Sequence, residues 1–387
     1  MTERAILHID MNNFYASVEC MLNPELKPFP IAVCGSQEER HGIVLAKNYA
    51  AKAKGVSTGE AIWQAKQKCP NLVIVPPHYD QYMKFSKLAR EIYGRYTDLI
   101  EPFGMDEVWA DVTGSQRAMG TPLHMAEEIK ETIKYELGLT VSIGVSFNKI
   151  FAKLGSDMKK PDAITVINKE TFREQIWDLP ASDMLGVGRA TEKKLSSVGI
   201  RTIGQIAQFP CDFFQRRLGK CGIDIWRFAN GMDTSKVTVR DIEAPDKTVG
   251  HGMTALQDLE DDAEVWKFIL ELCQDIGHRL YVFNKKATGM LNLSESRQPH
   301  LSDSRLTVTV TNGKQPSDRL SETIPISDVC CLIAKPEVSS APVMTLISSK
   351  TSAFASKTYA RIQIDSQRWS QKAFSFTKLW KRNRSNS

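Results

Sequence analysis

A chain of 387 residues with 42% hydrophobic and 25% charged content can build about two to four domains with ordinary cores. Its net charge of +5 is a mild hint of a polyanionic partner and no more. No apolar stretch approaches the roughly 18 residues that span a membrane, and no leader precedes the first strand pattern, so a soluble cytoplasmic protein is expected.

In chain order, residues 5–10 read as a buried strand and 12–20 as a short helix carrying Phe14, Tyr15 and Val18. IAVCG (31–35) and GIVLAK (42–47) read as strands, and Tyr49 to Lys54 as a short helix ended by Gly55. Helical periodicity covers 60–69 and 80–98. Val108 to Val112 reads as a strand closed by Gly114 and Ser115. Residues 122–137 predict an amphipathic helix with Leu123, Ala126, Ile129, Ile133 and Leu137 on one stripe. A strand from Val141 to Val145 and a basic helix from Asn148 to Met158 come next. This alternation implies an α/β or α+β body with a sheet core.

Residues 165–240 change to short helices with Gly-rich turns, and 241–256 read as a linker. Residues 259–283 predict a strong helix with acids in its first turn, where the helix dipole favours them. After Gly289 the composition shifts. Residues 294–357 hold 13 serines in 64 positions, against 12 in residues 1–290, and apolar periodicity fades. Strand-like runs such as RLTVTVT (305–311) survive, but no helix pattern does. Residues 350–387 carry nine Lys or Arg and one acid, Asp365. The eight cysteines form no C-x-x-C pair, so neither a zinc site nor a redox motif is indicated, and free thiols in a reducing cytosol are expected.

The chemistry is carried by acids at the ends of apolar, strand-like runs: Asp10 in AILHIDMNNFYASVE and Asp106-Glu107 in EPFGMDEVWADVTGS. Neighbours on a regular strand point to opposite faces, so Asp106 and Glu107 share a site only at a strand end or turn, which Pro102 and Gly104 favour. Three carboxylates suit Mg²⁺, which takes few protein ligands and leaves room for phosphates. Two such ions clamping one phosphorus are a standard way to displace pyrophosphate with a hydroxyl. A triphosphate needs further cations. Tyr49 and Lys52 lie one turn apart on a helix, and Lys160 comes just after the basic helix. Finally, Gly186-Val187-Gly188 opens a helix in LGVGRATEKKL, where exposed backbone N–H groups can hold one phosphate. Arg189, Lys193, Lys194 and a second GIRTIG turn strengthen this helix-hairpin-helix pattern of non-sequence-specific DNA binding.

IDMNNFYASVE, KNYAAKAKGV, GMDEVWADVTG, SIGVSFNKIFAKLGSDMKKPD and LGVGRATEKKL occur in the order seen in Y-family translesion DNA polymerases, and the likeness covers roughly residues 1–290. The resemblance implies an α+β multidomain right hand with a ferredoxin-like palm, small fingers, a helical thumb with helix-hairpin-helix and a separate little finger. On that basis the palm spans 1–30 and 79–165, the fingers 31–78, the thumb 166–240, the linker 241–256, the little-finger region 257–357 and a basic tail 358–387. It implies low-fidelity, template-directed DNA synthesis past damaged bases without proofreading. Asp10, Asp106 and Glu107 would be catalytic and hold two Mg²⁺ ions, with Met11 lending a backbone carbonyl. Tyr15 matches the gate that excludes a ribose 2′-hydroxyl, with Phe14 beside it. Tyr49, Lys52 and Lys160 match triphosphate contacts; the Lys52 position is often arginine in relatives, and lysine loses the bidentate fork. Gly186, Val187, Gly188, Arg189 and Lys193 would meet DNA.

Implied partners are primer–template DNA and dNTPs, to a monomeric, nucleoid-associated chain. A sliding clamp is a further candidate, although no Q-x-x-L-x-L-F type tail is present to dock on one. Two departures stand out. Ala110 occupies a position where relatives place a larger aliphatic residue. KKATG (285–289) is present, but the residues after it do not read as a little finger of four strands and two helices; from about 291 onward the chain reads as frame-shifted or drastically diverged. The competing readings are a catalytically impaired DNA-binding relative and a palm-fold nucleotidyl cyclase. The intact acids argue against the first, and the Phe14-Tyr15 pair with the helix-hairpin-helix segment against the second.

Overall fold

Strand β1 (Ile6–Met11) is buried along its whole length and is the middle strand of a five-stranded sheet. The structure is a computed structural model that describes residues 3–36 and 42–239, and beyond them 248–254, 262–282, 289–296, 305–310, 329–334, 344–349 and 358–365. These fall into two units, one ending at Val239 and the other beginning at Thr248.

After β1 the first unit runs α1 (Phe14–Leu22), β2 (Ile31–Cys34), β3 (Val44–Lys47), α2 (Tyr49–Ala53), α3 (Ile62–Lys68), β4 (Val73–Val75) and α4 (Tyr79–Tyr93). It continues through β5 (Ile100–Pro102), β6 (Glu107–Asp111), α5 (Gln116–Met119), α6 (Pro122–Leu137), β7 (Val141–Ser146), α7 (Lys149–Met158) and β8 (Ile164–Ile167). The main sheet has the order β5-β6-β1-β7-β8; only the β7–β8 pair is parallel. A small sheet, β3-β2-β4, has its own core of Ala32, Val44, Ile62, Ala65 and Leu72.

Strand alternation sorts β1 into two faces. Leu7, Ile9 and Met11 join Val108, Ala110, Ile143 and Val145 in the core made with α4 and α6. Each fully buried Leu or Ile there contributes about 1.5–3 kcal/mol. Ala110 is packed in this core, beside Ile100 on β5. Ile6, His8 and Asp10 take the other face, against which α7 packs. Alternation therefore aims Asp10 at α7 and not at the apolar core.

The sequence expectation misses several boundaries. The helix expected to reach residue 98 stops at Tyr93, where Gly94 N–H closes on Arg90 O and the chain turns into β5. Leu123, at the margin of its stripe in the first turn of α6, is exposed, and Met125 takes a core place instead. The helical region expected from 165 begins with β8, held in place by pairing with β7.

Next come α8 (Phe172–Ile176), α9 (Arg189–Ser196), α10 (Ile203–Gln208), α11 (Cys211–Leu218) and α12 (Lys220–Ala229). They share a core of Phe172, Ile176, Leu195, Ile203, Phe214 and Ile225 with Phe151 and Leu154 of α7. Thr202 and Gln205 form a capping box at the start of α10.

The second unit holds β9 (Thr248–Thr254), α13 (Asp262–Val282), β10 (Gly289–Ser296), β11 (Arg305–Val310), β12 (Val329–Ala334), β13 (Met344–Ser349) and β14 (Thr358–Asp365). Four strands form an antiparallel sheet of order β11-β10-β14-β9, and β12 pairs with β13. Two expectations change here. The supposed linker at 241–256 contains β9, and the supposed basic tail from 358 opens with β14, an inner strand bonded on both sides. The serine-rich stretch lies largely outside the described residues, and among those described no helix comes after Gly289.

Candidate active site

Asp10 and Glu107 meet because β1 and β6 are in register: Asp10 stands opposite Glu107, and His8 opposite Trp109. Like charges directly across an antiparallel pair repel. Lys153 of α7 relieves this. Its Nζ lies 2.8 Å from Glu107 Oε2, 3.7 Å from Asp10 Oδ2 and 3.1 Å from Asp157 Oδ2. Lys160, just past α7, reaches Asp10 Oδ2 at 2.7 Å and Asp157 Oδ1 at 2.9 Å. Fully buried His8 has Nδ1 2.8 Å from Ser156 Oγ and Nε2 3.3 Å from Glu107 Oε2.

Asp106 lies in the bend before β6, which lets its side chain share a cleft with that of Glu107 despite strand alternation. Its carbonyl accepts the Met11 N–H at 3.0 Å, fastening the bend to β1. The loop bearing Lys160 is held by Asn12, whose Oδ1 accepts the Asp162 N–H at 2.9 Å, and by Lys134, whose Nζ is 2.6 Å from Asp162 Oδ2. Asn13 adopts a left-handed conformation (φ 47°), which Asn tolerates better than most residues. This turn starts α1 directly after β1 and brings Phe14 and Tyr15 to the wall of the cleft that Asp10 lines.

Burial pushes the Asp10 carboxyl up, to about 6, against the pull of Lys160. Burial, then the charge of Glu107, pushes Asp106 up as well. At Glu107 burial acts upward too, but hydrogen bonds and charge from His8 and Lys153 outweigh it and hold the group at about 2. Burial lowers the His8 pKa. Burial thus disfavours the charged forms of Asp10 and Asp106, in a site of hard oxygen donors of the kind Mg²⁺ prefers. Among the described residues no three His, Cys, Asp or Glu side chains stand ready as a cage for a metal ion. The ammonium groups of Lys153 and Lys160 take carboxylate oxygens instead.

These groups open on a cleft of about 340 Å³. Asp10, Met11, Phe14, Tyr15, Asp106, Glu107 and Lys160 line it together with Asn13, Leu45, Ala46, Lys47 and Thr58. Tyr49 and Lys52 sit on α2 outside that lining, with Lys52 Nζ 5.7 Å from the Tyr49 ring centroid.

The Tyr15 ring stacks on Tyr82 (4.2 Å between centroids, 10° between planes) and meets Tyr79 edge-on at 6.0 Å. Tyr82 O–H donates to the fully buried Glu19, which also contacts His78 Nδ1 at 2.9 Å. A buried carboxylate thus anchors the ring behind Tyr15. Replacing Tyr82 by Phe should leave Glu19 short of a donor and lower the thermal midpoint, by about 1–3 kcal/mol of stability. An unchanged melt would show that the bond is dispensable.

In the helical segment, Gly186 (φ 93°) makes the turn and exposed Gly188 is the N-cap of α9. Arg189 and Lys193 are exposed, as a DNA-facing role requires. Val187 does not fit its expected place: its side chain is buried and its N–H donates to Met184 O at 3.1 Å, so it packs the turn and has no free donor to offer.

Sequence reasoning, which takes His8 as a core residue or one lying just behind the site, did not name Glu107 as its partner, and it missed Asn12, Lys47, Lys153, Asp157 and the Glu19–Tyr82 pair. Two signals were available. Counting back by two from Asp10 puts His8 on the same face, and Lys149, Lys153 and Asp157 recur at i, i+4 along α7.

The sequence pattern of the impB/mucB/samB family matches residues 9–157, and that of the "DNA polymerase-iota, thumb domain" matches 182–233. The chain is 54% identical over 284 residues to DNA polymerase IV of Acetivibrio thermocellus, covering 73% of this chain and 71% of that one. It is 39% identical over 283 residues to DNA polymerase IV 2 of Bacillus subtilis, covering 72% and 68%. Its fold is similar to that of a solved Y-family DNA polymerase chimera, Dbh-Dpo4(243-245)-Dbh, with a TM-score of 0.73 at 20% identity over 93% of this chain and 98% of that one. With one relative more than half identical across nearly three quarters of its length, the chain belongs to the impB/mucB/samB family, the Y-family of DNA polymerases.

Proposed function

We propose that the cleft joins a deoxynucleoside triphosphate to a primer 3′-hydroxyl opposite a template base, including bases that are damaged. The observation that carries this is one cleft lined by Asp10, Asp106, Glu107, Lys160 and the Phe14–Tyr15 pair. In the reaction the 3′-oxygen bonds to the α-phosphorus, the bond to the β-phosphate oxygen breaks, pyrophosphate leaves and the hydroxyl proton passes to solvent. Such chemistry depends on positioning and charge more than on an acid–base pair. Asp10, Asp106, Glu107 and the Met11 carbonyl are the oxygen donors that would hold two Mg²⁺ ions. Bound there, the ions would neutralise phosphate charge and lower the pKa of the attacking hydroxyl.

The chain's own residues then have separate tasks. Lys153 and Lys160 balance the acids, and Lys160, which lines the cleft, is a triphosphate contact. Tyr49 and Lys52 stand beside the cleft as further triphosphate contacts. Gly186, Gly188, Arg189 and Lys193 offer the thumb's contact to the DNA backbone. Tyr15, backed by Tyr82, presents a rigid ring where a ribose 2′-hydroxyl would project.

Primer extension on undamaged and lesion-bearing templates tests the reading directly. Replacing Tyr15 by Ala should reduce discrimination against ribonucleotides by at least about tenfold, since the clash is removed while the phosphate contacts remain. Unchanged sugar selectivity in that variant would show that another residue is the gate.

A further inference from the structure

We propose that Lys47, braced by Thr58, is a further phosphate-binding residue of the cleft, contacting the polyphosphate of the incoming nucleotide. The inference rests on the nucleotide-binding reading above and adds a residue on the opposite side of the site. Lys47 ends β3 and lines the cleft that holds Asp10, Asp106 and Lys160. Its Nζ donates to Thr58 Oγ1 at 2.9 Å, which fixes the ammonium group at the wall through a neutral hydroxyl.

The other ammonium groups at this centre are already neutralised. Lys153 and Lys160 each contact at least two carboxylates. Among the described residues no carboxylate lies within ion-pair distance of Lys47; the nearby Glu60 is engaged by Lys68 at 2.5 Å. Burial lowers the Lys47 pKa, the charge of Lys52 lowers it further, and Glu60 only partly opposes them.

A half-buried ammonium group with no counter-ion is unfavourable by itself and favourable once an anion docks. A polyphosphate supplies several acceptor oxygens for the three donors of a lysine. The protein holds its acids on the β1–β6 side of the cleft and presents Lys47 on the β3 side, without an ion-pair partner among the described residues, which suits a ligand that spans the two.

The test uses the full chain in steady-state primer extension. Lys47→Ala should raise the KM for dNTP about tenfold, the scale of one lost charge-assisted hydrogen bond, with kcat within about twofold. Lys47→Arg should restore KM to within about threefold. Inorganic tripolyphosphate, used as a competitor of dNTP, should inhibit Lys47→Ala about tenfold more weakly than the parent. The Kd for fluorescent primer–template DNA should not change, and the thermal midpoints of both variants should match the parent.

Unchanged KM and unchanged tripolyphosphate inhibition in Lys47→Ala would overturn the proposal. A loss that appears in the DNA Kd and not in KM would overturn it as well, since the phosphate would then belong to the DNA backbone. Asp106→Ala in the same assay separates this from the wider reading: if that variant stays active the cleft assignment itself falls, whatever Lys47 does.

Discussion

An Asp106→Ala chain should lose at least about 10³-fold in kcat for primer extension, equivalent to about 4 kcal/mol of transition-state stabilisation. Asp106 is the cleanest of the three acids to remove. The fold uses its backbone carbonyl, which accepts the Met11 N–H, and alanine keeps that bond. Its side chain is half-buried, and burial together with Glu107 disfavours its charge. Truncation therefore relieves repulsion, and the thermal midpoint should stay level or rise. Stability sacrificed for activity is the usual signature of a site built for a ligand. Asp10 offers a poorer test, because removing it would release Lys160 and part of the load on Lys153. DNA affinity should be retained, as the helical segment with Arg189 and Lys193 is untouched. Extension within about tenfold of the parent would take Asp106 out of the reaction.

The acids were legible because each closes an apolar run, and a carboxylate at the end of a buried strand is conspicuous in sequence. Their proximity was not legible. It depends on the register that sets Asp10 against Glu107, and register is a long-range property fixed by the packing of both faces. The counter-ions were hidden for a similar reason. Lys153 reads as one more surface lysine on a basic helix until α7 is laid across β7 and β1, where it becomes a half-buried bridge between acids.

Tyr15 was legible from its motif, but Tyr82, more than sixty residues away in sequence, was not. Val187 shows the opposite failure. A motif read as a phosphate-binding turn contains a residue whose N–H and side chain are spent on the fold. In the second unit, local sequence pattern gave the helix α13 and the strand β11. The partners of β9 and β14 could not be read, because β14 pairs with a strand more than a hundred residues earlier.

Gly144→Ala should destabilise the first unit by about 3–5 kcal/mol, although it adds only a methyl group. Gly144 lies in β7, between His8 of β1 and Thr165 of β8. A Cβ there would fall 1.9 Å from Ala152 O and 2.6 Å from Ser156 N, both backbone atoms of α7. Gly155 of α7 would place a Cβ of its own 3.2 Å from the Gly144 Cα, so helix and sheet meet glycine to glycine. The helix cannot simply retreat. Its start is capped by Asn148, its Lys149 carbonyl accepts Trp109 Nε1–H at 2.9 Å, and Lys149 Nζ is 2.6 Å from Glu101. Ile150, Phe151 and Leu154 fasten it to the helical core on its other side.

This close approach is what lets Lys153, Ser156 and Asp157 reach the acids and His8, so displacement of α7 would remove stability and activity together. Urea unfolding followed by tryptophan fluorescence measures the first, and primer extension the second. Gly114→Ala provides the control: nothing lies within 4 Å of its Cβ position, and its midpoint should move by no more than about 0.5 kcal/mol. Equal midpoints for the two variants would mean that α7 does not lie on β7 at this distance, and the support for Lys153 as the bridge between Asp10 and Glu107 would go with it.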